Sequence, residues 1–160
     1  MNMQASTEMV REVFTKVLEK QVFLFAEDLE LDEIPAGGDW VEAHMGFHGP
    51  FGGSLTLALP KEAELDIAAN FLGKDADDPE VAKCAEDSLK EILNVLCGHM
   101  LTALAGDEPV FDLSIPKVNA LAEADRLALA DLPGALGFDV EGKPAMLRFQ
   151  LLDHGNVEGA

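Results

Sequence analysis

Residues 86–106 read EDSLKEILNVLCGHMLTALAG, and this stretch decides the fold around it. Leu89, Ile92, Leu93, Leu96, Met100 and Ala103, with Ala85 just upstream, recur at the three-and-four spacing of an amphipathic helix. At 100° per residue, Glu91 and Asn94 project within about 40° of Asp87. All three face away from the apolar side, and Gly98 continues their line one turn on. A glycine there lets another surface approach the helix backbone closely. An ordinary solvated face mixes Lys, Glu and Arg, whereas this one runs acid, acid, amide, glycine. Pro79 suits the first turn and Gly106 the close, so the helix is expected from Pro79 to about Ala105.

Outward from it, Lys61–Leu72 reads as a second helix with Leu65, Ala68, Ala69 and Leu72 on one side and Gly73 as its cap. Before that, Trp40–Phe47 and Ser54–Leu59 alternate as strands about the turn Gly49-Pro50-Phe51-Gly52-Gly53. A first helix, capped by Ser6 or Thr7, starts near Glu8 and repeats Val10, Val13, Phe14, Val17 and Leu18 at helical spacing. It is expected to reach Phe25, after which the acidic stretch AEDLELDEIPAGG reads as a punctuating loop. Downstream, Val110–Ile115 reads as a strand. Lys117–Leu132 reads as part loop, with a candidate strand at Arg126–Ala130. Ala135–Val140 and Ala145–Leu152 form a hairpin about Glu141-Gly142-Lys143, and the tail DHGNVEGA reads as frayed. Helices and hairpins mix without a βαβ rhythm. That argues for one domain over residues 1–160, of α+β class, with a largely antiparallel sheet and long helices packed on one face.

The pattern Asp87-x3-Glu91-x2-Asn94, followed after 21 residues by Pro116, resembles the signature of the CheC/CheX/FliY family of response-regulator phosphatases. The hairpin FHGPFGGSLTLALP, the helix KEAELDIAANFLG and an acidic loop precede the motif in that family's order, so the resemblance covers nearly the whole chain. The length and the single motif copy are closer to CheX than to CheC, which usually carries two. The resemblance implies a CheC-like fold, a homodimer, and a phosphorylated CheY-like receiver domain as substrate and partner. It implies that Asn94 orients the attacking water and that Glu91 docks against the receiver's active-site lysine. Asp87 extends the contact, and Gly98 belongs with it to the partner-binding face. Mg²⁺ is expected on the receiver, and no cofactor on this chain. Pro116 is expected to shape the strand end beside the motif helix. On the first helix, Glu8-x3-Glu12-x2-Thr15 keeps the acid spacing but lacks the amide, and reads as a silent counterpart.

The residue types suit that task. A receiver that already holds Mg²⁺ and a lysine against its phosphoryl group needs neither nucleophile nor metal from its phosphatase. What remains is placing one water in line with phosphorus. A carboxamide carries donor and acceptor in one uncharged plane, whereas an acid would meet the phosphoryl oxygens with like charge. The rival reading is a binding module that grips a receiver or another signalling protein with the acidic face and hydrolyses nothing. Asn94 separates the two, since an adaptor has no need of the amide. A metal-dependent hydrolase built on Asp87 and Glu91 would require a third ligand, which that face does not offer.

Composition narrows the partners. Thirty acids against 11 bases give a net charge of −19, which repels nucleic-acid backbones and anionic membranes alike. No apolar run nears the roughly 18 residues of a membrane span. The amino terminus lacks a basic-then-apolar signal layout, so the cytoplasm is the expected compartment. Cys84 and Cys97, with no CxxC, read as free thiols packed as small hydrophobes. His44 and His48 share strand parity without a third ligand and read as surface histidines. His99 lies off the stripe and His154 in the tail. Asp75, Asp77 and Asp78 lack EF-hand spacing, and the glycines of 46–53 lack the lysine of a phosphate loop.

Overall fold

The computed structural model describes residues 6–152, so the tail DHGNVEGA with His154 lies outside the described residues. The chain runs α1 (Thr7–Val22), β1 (Ala26–Leu29), a single 3-10 turn at Leu31–Glu33, β2 (Trp40–His48), β3 (Gly52–Pro60), α2 (Lys61–Leu72) and α3 (Pro79–Ala105). It continues through β4 (Asp112–Leu113), β5 (Lys117–Leu121), α4 (Glu123–Ala130), β6 (Ala135–Val140) and β7 (Lys143–Leu152). The strands form one antiparallel sheet in the order β1-β6-β7-β3-β2, with β4 and β5 both on the outer edge of β2.

Alternation along the strands divides the two faces. Val41, Ala43, Met45 and Phe47 of β2, Leu55, Leu57 and Leu59 of β3, and Ala145, Leu147 and Phe149 of β7 point into the main core. There they meet Phe14 and Leu18 of α1, Ile67 of α2, and Leu89, Ile92, Leu93, Leu96 and Met100 of α3. The three long helices thus share one face, as the sequence predicts. Trp40, Ala58 and Met146 point the other way and are covered by Ile34 and by Leu129 of α4.

The helix ends follow local chemistry. The Ser6 hydroxyl accepts from the Met9 N–H (3.0 Å) and opens α1. Asp78 caps α3 by accepting from the Glu80 N–H (2.9 Å), with Pro79 in the first turn. α1 stops at Val22, three residues short of the expected end. Phe23 turns left-handed (φ 56°, ψ 35°) while its N–H still reaches the Glu19 carbonyl (3.1 Å). The acidic stretch that follows is partly strand: β1 pairs with β6, Ala26 opposite Val140, and only Ala26 of its four residues is buried. The expected strand Val110–Ile115 shrinks to β4. Register places Met45 and Gly46 opposite three residues, Ser114, Ile115 and Pro116, which makes a bulge. The Ser114 hydroxyl accepts from the Gly46 N–H (2.8 Å), Pro116 is buried, and Ile115 is turned out to 82% exposure. The β6–β7 turn is two residues, Glu141 and Gly142, both at positive φ (52° and 88°), the geometry that a tight hairpin favours.

The candidate strand at Arg126–Ala130 is instead helix α4, and a buried cation explains it. Arg126 is 3% exposed; its Nε donates to Glu123 Oε1 (2.5 Å) three residues back, and its guanidinium lies 5.1 Å from the Trp40 ring centroid. Contacts at 123, 126 and 129 come at helical spacing. Glu123 also accepts from the Gly37 N–H (2.8 Å), tying α4 to the loop before β2. The Arg126 bond and then the Gly37 amide hold the Glu123 carboxyl below the usual range. A folded value below the unfolded one contributes stability that is complete above the unfolded value and is lost as pH falls through the folded one. Urea unfolding of wild type and Glu123→Gln should therefore differ at neutral pH and converge below about pH 4. A difference that persists undiminished in acid would contradict this coupling.

Candidate functional site

Helix α3 is two-sided, and its second side carries the candidate site residues. Leu89, Ile92, Leu93, Leu96, Cys97 and Met100 are fully buried, which fixes the rotation of the helix about its axis. That rotation leaves Asp87 and Glu91 exposed and Asn94 and Gly98 half-buried, all on the outward face. The four span about 16 Å at the helical rise. The same periodicity extends the face to Cys84, half-buried, and Thr102, exposed, both already contained in the sequence spacing. At the last turn the packing shifts: Leu104 and Ala105 lean on the core, and Ala103, expected on the buried side, is exposed.

Each group on the face is available to a partner. Among the described residues, no hydrogen bond or ion pair engages the side chains of Asp87, Glu91 or Asn94. The neighbouring Lys90 is instead drawn back to Glu86 (3.4 Å). A β-carbon added at Gly98 would meet nothing within 4 Å, so no packing within the described chain calls for glycine there. A mid-helix glycine costs about 1 kcal/mol relative to alanine, and here the fold gains nothing from it. The face is the convex outside of a helix, a shape suited to a macromolecule rather than to an enclosed small molecule.

The matching spacing on α1 is chemically different. Glu12 is bound to Lys16 (2.8 Å), whose bond and charge lower its carboxyl from the usual range. The Thr15 hydroxyl donates back to the Arg11 carbonyl (2.8 Å). Both groups are satisfied within their own helix, and no amide stands at the third position.

The remaining candidates fall elsewhere. Pro116 lies in the bulge before β5, and β5 packs against α3, so it shapes the support rather than the face. His44 Nδ1 lies 2.7 Å from Thr56 Oγ1, and the exposed His48 stands 3.8 Å from Asp112. His99 is exposed but off the stripe. Among the described residues, no three His, Cys, Asp or Glu side chains converge to hold a metal ion. Asp87 and Glu91 thus have no third such ligand beside them. Cys97 is buried, and burial pushes its thiol up to about 11; Cys84 is a half-buried free thiol. Among the described residues, no helix is long and apolar enough to cross a membrane.

Comparison with known proteins places this geometry. The sequence profile of the family described as "Chemotaxis phosphatase CheX" matches residues 41–129, more than half of the chain. No curated protein matches in sequence. Among solved structures, a chemotaxis protein CheX from Vibrio vulnificus superposes with a TM-score of 0.67 at 20% identity, over 95% of this chain and 100% of that one. A chain of the CheX–CheY–BeF3–Mg²⁺ complex from Borrelia burgdorferi gives 0.66 at 19%, over 94% of this chain and 100% of that one. A chemotaxis protein CheX from Desulfovibrio desulfuricans gives 0.64 at 18%, over 91% and 98%. These likenesses establish a shared fold. The matched sequence span takes in the β2–β3 hairpin from Val41 onward, the whole acid–amide face of α3 and Pro116, and the chain belongs to the CheX family of chemotaxis phosphatases within the wider CheC/CheX/FliY group.

Proposed function

We propose that this chain hydrolyses the aspartyl phosphate of a CheY-like receiver domain, docking it on the Asp87–Gly98 face of α3. The observation that carries the proposal is the half-buried amide of Asn94 set one turn from the exposed carboxylate of Glu91, on a face that the fold itself does not use. The Borrelia burgdorferi relative was solved in complex with CheY, BeF3 and Mg²⁺, which supports a receiver as the partner here.

In the proposed reaction a water oxygen bonds to phosphorus as the bond from phosphorus to the aspartate oxygen breaks. The carboxylate leaves and the water's proton stays with the inorganic phosphate. Asn94 orients that water through one donor and one acceptor. Glu91 pairs with the receiver's lysine and sets the distance, Asp87 adds a second contact, and Gly98 lets the receiver close on the helix backbone. The receiver brings the Mg²⁺, and the working form is a cytoplasmic homodimer.

The test is phosphate release from a phosphorylated receiver, with the receiver alone as reference. Acceleration by the wild-type chain is expected. Glu91→Gln should raise KM by about tenfold, the loss of one charged pair, with a smaller effect on kcat. Absence of acceleration with a receiver that binds would favour the binding-module reading. Gly98→Ala provides a separate check. It should leave the fold as stable or up to about 1 kcal/mol more stable, yet raise KM by several-fold. An unchanged KM in the stabilised variant would remove Gly98 from the docking face.

A further inference from the structure

Away from the α3 face, the C-terminal ends of α1 and α2 are pinned side by side by one hydrogen bond, from Asn70 Nδ2 to the Val22 carbonyl (2.7 Å). Large apolar side chains stand in water on both sides of that bond. Phe23 is 69% exposed and Phe25 60%, while Leu24 between them is buried; Phe71 and Leu72, the last residues of α2, are also exposed.

Phe23 is the informative residue. It ends α1 in the left-handed region at φ 56°, where a β-carbon is disfavoured and where glycine is the usual choice. An aromatic there is unfavourable for the backbone and again for its exposed ring. Neither the helix end nor the core accounts for it, since Leu24 supplies the buried contact. A residue held at conformational cost with its side chain in solvent points to a use outside the fold.

The charge beside Phe25 is acidic, while Lys20 stands in the last turn of α1 and Lys74 two residues beyond Leu72. Glu27, Asp139 and Glu141 line a hollow with Phe25, and the Phe25 N–H donates to Glu141 Oε2 (3.0 Å). Two copies of a chain of charge −19 would repel across such a rim. A cationic polypeptide would be attracted to it.

We infer that Phe23, Phe25, Phe71 and Leu72 form a second docking surface, separate from the α3 face, for a basic amphipathic segment of another protein. Apolar side chains of that segment cover the phenyl rings, and its Lys or Arg residues meet the acidic rim.

The probe is a synthetic amphipathic helix of Leu and Lys carrying a fluorophore, with a Leu and Glu peptide of the same pattern as control. Anisotropy titrations use the wild-type chain, Phe23→Gly and Phe25→Ser. The Leu and Lys peptide should bind wild type, and each substitution should weaken it by at least about tenfold. The melting temperature of Phe23→Gly should equal or exceed that of wild type, because glycine suits the left-handed position. Both variants should retain the wild-type rate of phosphate release from a receiver, so failure here is distinguishable from failure of the phosphatase reading. Equal binding to all three proteins would mean attraction by net charge alone and overturn the proposal, as would absence of binding or equal binding of the Glu peptide. Light scattering that shows a dimer lost in Phe23→Gly would assign the patch to a second copy of the chain and also overturn it.

Discussion

The buried seam of α3 governs everything else in this molecule. Leu89, Ile92, Leu93, Leu96 and Met100 are removed from water between α1, α2 and the inner face of the sheet. At about 1.5–3 kcal/mol for each fully buried side chain, five of them together are comparable to the whole net stability of a typical domain, about 5–15 kcal/mol. Turning the helix by one residue would expose part of that seam and bury Asp87 or Glu91 without a partner. The direction in which the acid–amide face points is thus a consequence of hydrophobic burial on the other side. The sheet contributes a rigid floor, and the β4–β5 bulge at Pro116 brings β5 against the same helix.

Membership in the CheX family rests on the matched sequence span. The proposed roles rest on what the groups are free to do. α1 carries the same acid spacing, yet Glu12 is held by Lys16 and Thr15 by its own helix. α3 carries carboxylates and an amide that no described neighbour occupies, and a glycine that no described packing requires. Phosphoryl transfer from a receiver that supplies its own metal asks for position rather than for a nucleophile, and a carboxamide on a fixed helix provides position.

Much of this was legible before the fold was known, because α2 and α3 carry their own periodicity and stops. Lys61–Leu72 and Pro79–Ala105 follow from apolar spacing, Pro79, Gly73 and Gly106. The parts that were not legible depend on partners distant in sequence. β1 has one buried residue in four and is recognisable only beside β6. α4 has Ala122 at its N-cap and so no side-chain cap, and its buried Arg126 makes sense only under Trp40, 86 residues away. The early end of α1 turns on Phe23 adopting a conformation that its residue type disfavours. At the site, spacing gives the shared face of Asp87, Glu91, Asn94 and Gly98. The depth of Asn94 and the open space at Gly98 are properties of the neighbours and appear only with the fold.

The central claim is that Asn94 acts on the water and not on the partner. The most direct measurement is single-turnover loss of phosphate from a phosphorylated receiver at saturating concentrations of wild type and Asn94→Ala, with affinity for the same receiver measured alongside. The account predicts a rate slower by about 10²-fold or more in the variant, with affinity little changed. An unchanged rate, or a loss of affinity that explains the whole effect, would contradict it.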